Sequence, residues 1–201
     1  MKNPLDSIWG TIISGLIIAT LIALGASEIN MRGSGAIVLW IHVAVGVTWI
    51  GLLYYFNFVQ VPGLADAAAD EGGPGGGGIL KYIAPRALLW FRWAALVTWL
   101  SGAVYLLERG QFLNAFTLGM GGNGSLYGLE IGVGAWLGTI MLFNVWILIW
   151  PNQKKVLGLV EAGADEIAKA KRIAFLASRT NTMLSIPMLM SMLAPTHGFF
   201  L

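Results

Sequence analysis

Long runs of apolar residues, separated by short polar stretches, dominate the pattern along this chain. Each run is close to the roughly 20 residues that a helix needs to cross the hydrocarbon core of a bilayer. The runs lack the strict alternation of apolar and polar positions that a membrane β-barrel strand shows, so helices satisfy the backbone groups. The pattern predicts an all-α integral membrane protein with a bundle of about five transmembrane helices, over residues 8–26, 37–59, 87–107, 129–150 and 182–200.

Two connections between these runs have distinctive compositions. The segment 63–79 contains the run DEGGPGGGG and predicts a flexible loop, because glycine-rich backbone loses much entropy when it is ordered. The segment 151–181 alternates apolar and charged residues. It predicts either an amphipathic helix on the inner membrane surface or a solvated connector. Residues 1–201 are predicted to form a single membrane domain.

The positions of lysine and arginine predict the orientation, because basic loops remain in the cytoplasm. Placing the basic segment 151–181 inside leaves only Arg32 and Arg109 outside, with Arg92 within a span. Nine of the 12 basic residues then face the cytoplasm. The amino terminus is therefore predicted to be cytoplasmic and the carboxyl terminus periplasmic, in a multi-pass protein of the bacterial inner membrane.

Composition narrows the chemistry. The chain is 57% hydrophobic and 11% charged, with a mean hydropathy of +0.73, values that place it in lipid. The net charge of +2 comes with no long basic run and no nucleic-acid motif, so a nucleic-acid partner is not expected. Because the sequence contains no cysteine, it excludes disulfides, iron–sulfur clusters and covalently attached c-type haem.

The sequence contains two histidines, His42 and His197, and the predicted topology brings both toward the outer face. Imidazoles on facing helices can be axial ligands of b-type haem, and a small residue such as Gly46 leaves room for the porphyrin. The alternative is that each histidine bonds a backbone carbonyl or the headgroup region. Methionines at 188, 190 and 192 make a histidine–methionine copper site a lesser alternative to haem.

A second group of polar residues lies toward the predicted cytoplasmic side of the spans. Ionisable residues within a membrane are costly and often mark functional sites. An arginine with carboxamide partners could recognise a planar anion, whereas in the structural alternative it snorkels to the interface and the amides bond between helices. The members of this polar group are Asn57, Gln60, Arg92, Asn144, Arg179 and Asn181.

Several segments resemble the urate oxidase N-terminal domain family, the membrane part of cytochrome-c-linked urate hydroxylase. The longest begins at His42 and reads HVAVGVTWIGLLYYFNFVQVP, and it contains Asn57 and Gln60. Other segments read LWFRWAA around Arg92 and WPNQKK after Asn144. The matching segments are residues 42–62, 89–95, 144–155, 177–188 and 196–197.

The resemblance implies a membrane protein linked to urate oxidation, with electrons leaving through a periplasmic cytochrome c. The fused enzymes of the family have a larger membrane part followed by that cytochrome domain. This sequence ends at Leu201 and has no Cys-x-x-Cys-His motif, so we do not expect it to be a complete urate oxidase by itself. The predicted external carboxyl terminus agrees with the side on which such a cytochrome would lie.

Three functions follow as hypotheses. The first is a small membrane redox protein that binds haem b through His42 and His197 and exchanges electrons with a periplasmic cytochrome c or a membrane enzyme. The second is a non-catalytic accessory subunit of a larger membrane enzyme complex. The third is a urate-type anion oxidase or binder that uses Arg92 and the nearby amides. The lipid bilayer is the expected environment in each case, and a homo-oligomer is compatible with all three.

Overall fold

The computed structural model describes residues 3–25, 33–121 and 125–198. These residues are almost entirely helical and include no strand, which confirms the all-α prediction. Parts of the predicted spans and outer loops lie outside the described residues, namely Ala26, residues 27–32 including Arg32, residues 122–124, Phe199 and Phe200. The chain divides into two compact units, Met1–Ala36 and Ile37–Leu201.

In the first unit, a short 3-10 turn precedes the first long helix, α1 (Ile8–Gly25). The turn spans Pro4–Asp6 and is capped by Asn3, whose side-chain oxygen accepts a hydrogen bond from the backbone N–H of Leu5 at 2.9 Å. The apolar part of α1, Ile8–Ile22, is shorter than the long apolar helices that follow.

The remaining helices belong to the second unit, except for residues 33–36, the first four of the next helix, and several of them are continued by a π-helical segment. In chain order they are α2 (Gly33–Tyr55), a π segment (Phe56–Gln60), α3 (Val61–Ala69), a π segment (Ile79–Ile83), α4 (Ala84–Glu108), α5 (Phe112–Phe116), α6 (Leu126–Phe143), a π segment (Asn144–Ile149), α7 (Trp150–Val156) and α8 (Ala164–His197).

Three continuous helices are long and apolar enough to cross a membrane: Gly35–Ala69, Ile79–Glu108 and Leu126–Val156. They confirm the prediction of a membrane protein, while the count of five spans and the orientation stay predictions. The helix α8 has 34 residues and is therefore about 51 Å long at 1.5 Å per residue. Its first half carries most of the charged residues of the basic segment, so only its second half matches the fifth predicted span.

The connections contain more helix than the sequence indicated. The helix α3 continues through the alanine-rich residues 64–69 before the chain turns at Gly72 and Gly75, whose positive φ angles of 91° and 64° favour glycine. The basic segment 151–181 forms α7 and the beginning of α8. In the connection before α6, the short helix α5 packs on α6, with the rings of Phe116 and Trp136 edge to face at 5.5 Å.

The core of the second unit lies between α2, α4, α6 and α8. Phe56 and Phe91 meet edge to face at 5.4 Å near its centre, and both side chains are buried. The glycine at 134 permits close approach of α6 and α8, since a Cβ atom there would lie 3.2 Å from the Cβ of Ser191. Such close contacts drive helix association in a bilayer, where burial of apolar surface gives little gain.

Candidate functional site

Two cavities lie within the second unit, one toward each end of the helices. The first has a volume of about 690 Å³ and is lined by His42, and we call it the histidine cavity. The second has a volume of about 770 Å³ and is lined by Asn57, Gln60 and Gln153, and we call it the amide cavity. Both volumes fall in the range of about 300–1,000 Å³ that is typical of cofactor and small-molecule sites.

The ring of His42 is held in one orientation and one tautomer. Its Nδ1 lies 2.8 Å from the backbone oxygen of Thr98 on α4. A carbonyl oxygen only accepts, so Nδ1 carries the proton and Nε2 of the neutral ring keeps its lone pair. A Cβ atom at Gly102 would lie 2.9 Å from Cε1 of His42, so the ring packs directly on the backbone of α4. This arrangement matches the metal-binding histidines of proteins, whose second nitrogen is fixed by a hydrogen bond.

Small residues and sulfur atoms line much of the remaining wall of the histidine cavity. The predicted neighbour Gly46 is among the lining residues, together with four further glycines at 51, 102, 134 and 138. Met188 and Met192 of α8 also line the cavity. The indole Nε1 of Trp49, a residue that is only 2% exposed, lies in the wall without a hydrogen-bond partner in the described part of the chain.

The other histidine lies elsewhere. His197 is the last residue of α8, is exposed, and is not among the described residues that line the histidine cavity. Within residues 3–25, 33–121 and 125–198, no group of three or more His, Asp or Glu side chains could hold a metal ion. The structure therefore places His42 in a cavity and leaves the pairing of the two histidines as a prediction.

Three asparagines of the predicted polar group form hydrogen bonds in two separate places. Asn57 donates to the hydroxyl oxygen of Ser178 at 2.8 Å and also to the backbone oxygen of Leu53. Asn144 donates to Oδ1 of Asn181 at 2.8 Å, and Asn181 in turn donates to the backbone oxygen of Met141 at 2.9 Å. These bonds link α6 to α8 and the π segment after α2 to α8.

The remaining members of the group do not join these pairs. Gln60 lines the amide cavity, and its Oε1 is buried without a hydrogen-bond partner among the described residues. The guanidinium of Arg92 lies 3.7 Å from the centre of the Trp150 ring, and Arg92 lines neither cavity. Arg179 is exposed, with its guanidinium 5.2 Å from the ring centre of Phe175. The arginine and the amides thus do not form one binding site.

Two of the asparagines lie in π-helical segments. Asn57 is the second residue of the segment Phe56–Gln60, and Asn144 is the first residue of Asn144–Ile149. Such π segments occur frequently at functional sites, because the additional residue in a turn redirects the side chains that follow. Here they direct amide groups into the interior of the bundle.

Sequence reasoning missed the partners of the predicted residues. Thr98 contacts His42 through its backbone oxygen, and Gly102 leaves room for the ring because it has no side chain. Neither contact has a distinctive signal in the sequence. Trp49 lies near the middle of the predicted span 37–59, and this depth is the signal that could have singled it out. Ser178 could have been found as a small polar residue three positions before Asn181 on the same helix.

Comparison with known proteins finds a family model that matches the carboxyl-terminal part of the chain. Residues 125–200 match the family model described as urate oxidase N-terminal, which confirms the suspected relationship over these residues. They comprise α6, α7 and α8. Neither the curated proteins nor the solved structures contain a match to this chain.

Proposed function

We propose that this chain is a small membrane redox protein that binds b-type haem in the histidine cavity and exchanges electrons with a cytochrome or a membrane enzyme. The proposal rests on the orientation and the tautomer of the His42 ring. Its Nδ1 proton is engaged by the Thr98 backbone oxygen at 2.8 Å, which leaves the lone pair of Nε2 for an iron atom. Bound haem would supply one-electron transfer at its iron.

The walls of the histidine cavity are suited to a flat, apolar group such as the haem macrocycle. Five glycines in the lining let a planar macrocycle approach the helix backbones, and most of the remaining lining is apolar. The unpartnered N–H of Trp49 calls for an acceptor on the occupant. A haem propionate would supply such an acceptor, so the donor set and the shape of the cavity both agree with haem.

A methionine, rather than His197, would hold the haem together with His42. Met188 and Met192 line the cavity that contains His42, whereas His197 is exposed at the end of α8. We therefore propose histidine–methionine ligation, an arrangement that raises the reduction potential of haem relative to two histidines. In the predicted inner-membrane orientation, the cavity lies toward the periplasmic side, where a cytochrome c would be the electron partner.

Absorption spectra of the detergent-purified protein, oxidised and dithionite-reduced, test this proposal. We expect the bands of b-type haem in the wild type, their loss in His42→Ala, and their retention in the matched variant His197→Ala. Of the variants Met188→Leu and Met192→Leu, one should shift the reduction potential of the haem. A full haem spectrum in the double variant His42→Ala, His197→Ala would overturn the proposal.

A quinone is a second candidate occupant, and Trp49 is the observation that favours it. The indole N–H and the free Nε2 of His42 would give a lipophilic ring two polar contacts in an otherwise apolar cavity. Organic extraction of the purified protein followed by chromatography separates this candidate from haem. A colourless protein that releases no quinone would instead support the accessory-subunit hypothesis.

A further inference from the structure

The amide cavity is independent of the haem proposal and has a different chemistry. It is formed where α3 ends, α4 begins, α7 ends and α8 begins, at the end of the helices that is predicted to face the cytoplasm. Lining residues such as Ala68 and Val156 lie within the last turns of two of the candidate spans. The cavity is thus at the level of the lipid headgroups on that side of the membrane.

The charges at this cavity favour an anion. Lys171 and Arg172 line it and are exposed, and no Asp or Glu occurs among the described residues of the lining. The ion pair between Lys155 and Glu166 involves neither cation. Basic pockets between helices on the cytoplasmic side of a membrane are typical sites for acidic lipid headgroups.

An unsatisfied group inside the cavity specifies a further property of the ligand. The Oε1 atom of Gln60 is buried and has no hydrogen-bond partner within the described residues. A buried acceptor of this kind costs about 1–3 kcal/mol unless a donor reaches it. The nearby amide of Asn57 cannot supply one, because its Nδ2 already donates to Leu53 and Ser178. A ligand that carries an O–H or N–H donor would satisfy this oxygen atom.

The remaining walls suit an acyl chain. Val61 and Leu64 of α3, Leu80 before α4, and Ile167 of α8 line the cavity between the amide interior and the membrane. We propose that the amide cavity binds an anionic glycerophospholipid with a hydroxyl-bearing headgroup, of which phosphatidylglycerol is the simplest example. Its phosphate pairs with Lys171 and Arg172, its headgroup hydroxyl donates to Gln60, and its chains lie on the apolar wall.

Native mass spectrometry of the full chain, released from micelles with equal amounts of phosphatidylglycerol and phosphatidylcholine, tests the charge requirement. We expect the wild type to retain one phosphatidylglycerol in preference to phosphatidylcholine. The double variant Lys171→Gln, Arg172→Gln should lower that preference about 30-fold, as expected for the loss of two surface cations. The matched variant Lys169→Gln, Arg179→Gln removes the same charge from α8 but changes no lining residue, and should keep the preference.

The hydroxyl requirement has its own test. Phosphatidylmethanol has the same charge as phosphatidylglycerol and no headgroup hydroxyl, so the ratio of the two bound lipids reports the contact with Gln60. We expect the wild type to favour phosphatidylglycerol and Gln60→Leu to bind the two equally. A wild type without preference for phosphatidylglycerol over phosphatidylcholine would overturn the proposal, as would equal losses in both charge variants. A retained ligand whose mass is not that of a lipid would also overturn it.

Discussion

Asn181 is fully buried in α8, and its side chain forms two of the hydrogen bonds that connect α8 to the helix Leu126–Val156. Replacing it with alanine removes both bonds and leaves the buried Nδ2 of Asn144 without its acceptor. The backbone oxygen of Met141 loses one donor but still accepts from the backbone N–H of Asn144. Most of the loss in folding free energy therefore comes from the amide group of Asn144, which is left without an acceptor.

The expected magnitude follows from three contributions. A buried donor without a partner costs about 1–3 kcal/mol. Hydrogen bonds between membrane helices average about 0.6 kcal/mol, with a maximum near 1.7 kcal/mol, because the unfolded chain in lipid also finds partners. Alanine in a helix recovers up to about 0.7 kcal/mol of intrinsic propensity. We expect Asn181→Ala to lower the free energy of unfolding by about 1–2 kcal/mol.

Equilibrium unfolding in mixed micelles with increasing sodium dodecyl sulfate, followed by tryptophan fluorescence, measures this change. The matched control is Asn152→Ala, which removes a local bond of 2.7 Å to the backbone oxygen of Leu148 from a half-buried side chain. The control should change the free energy by less than about 0.5 kcal/mol. A double-mutant cycle with Asn144→Ala should give a coupling of about 0.6–1.7 kcal/mol. A coupling near zero, or equal effects of Asn181→Ala and Asn152→Ala, would refute the reasoning.

Two further predictions concern glycines at close helix contacts. Gly102→Ala places a methyl group 2.9 Å from Cε1 of His42, so we expect displacement of the ring and loss of at least half of any bound cofactor, measured by absorbance. Gly132→Ala places a methyl group against the backbone oxygen of Ala115, which cannot rotate away, so thermal melting should show destabilisation by roughly 1–3 kcal/mol. Gly138→Ala, which meets no atom within 4 Å, is the control and should keep or raise the melting temperature. Equal melting temperatures for the variants at 132 and 138 would contradict the second prediction.

The apolar runs predicted the helices because length and hydropathy are local properties of a sequence. Hydropathy could not reveal that α8 begins at Ala164, since its charged first half continues the same helix outside the apolar run. The π segment Phe56–Gln60 also advances the helix by an additional residue, about 100° of rotation, so faces assigned with a period of 3.6 are wrong beyond it.

The candidate site was predictable only in its individual residues. His42 and Gly46 lie one turn apart on one helix and both line the histidine cavity, while their role in binding a cofactor stays a prediction. The partner of His42 is a backbone oxygen 56 residues away, and such a contact depends on which helices are adjacent, which no pattern within one helix contains. The predicted grouping of Arg92 with the amides depends on the same kind of contact, and the guanidinium of Arg92 lies over the ring of Trp150.

The helix α8 runs from the amide cavity to the histidine cavity, and polar residues between the two cavities bond it to neighbouring helices. Ser178 lines the amide cavity and Met188 lines the histidine cavity, while Asn181 and Ser185, both fully buried, lie between them. Asn181 bonds to Asn144 and Met141, and Ser185 lies 2.9 Å from the hydroxyl of Tyr54 on α2. A shift of α8 by one turn would break all of these bonds in a medium that offers no water to replace them. The buried polar residues therefore act as fixed connections between helices, and the residues that face the cavities remain free for ligands.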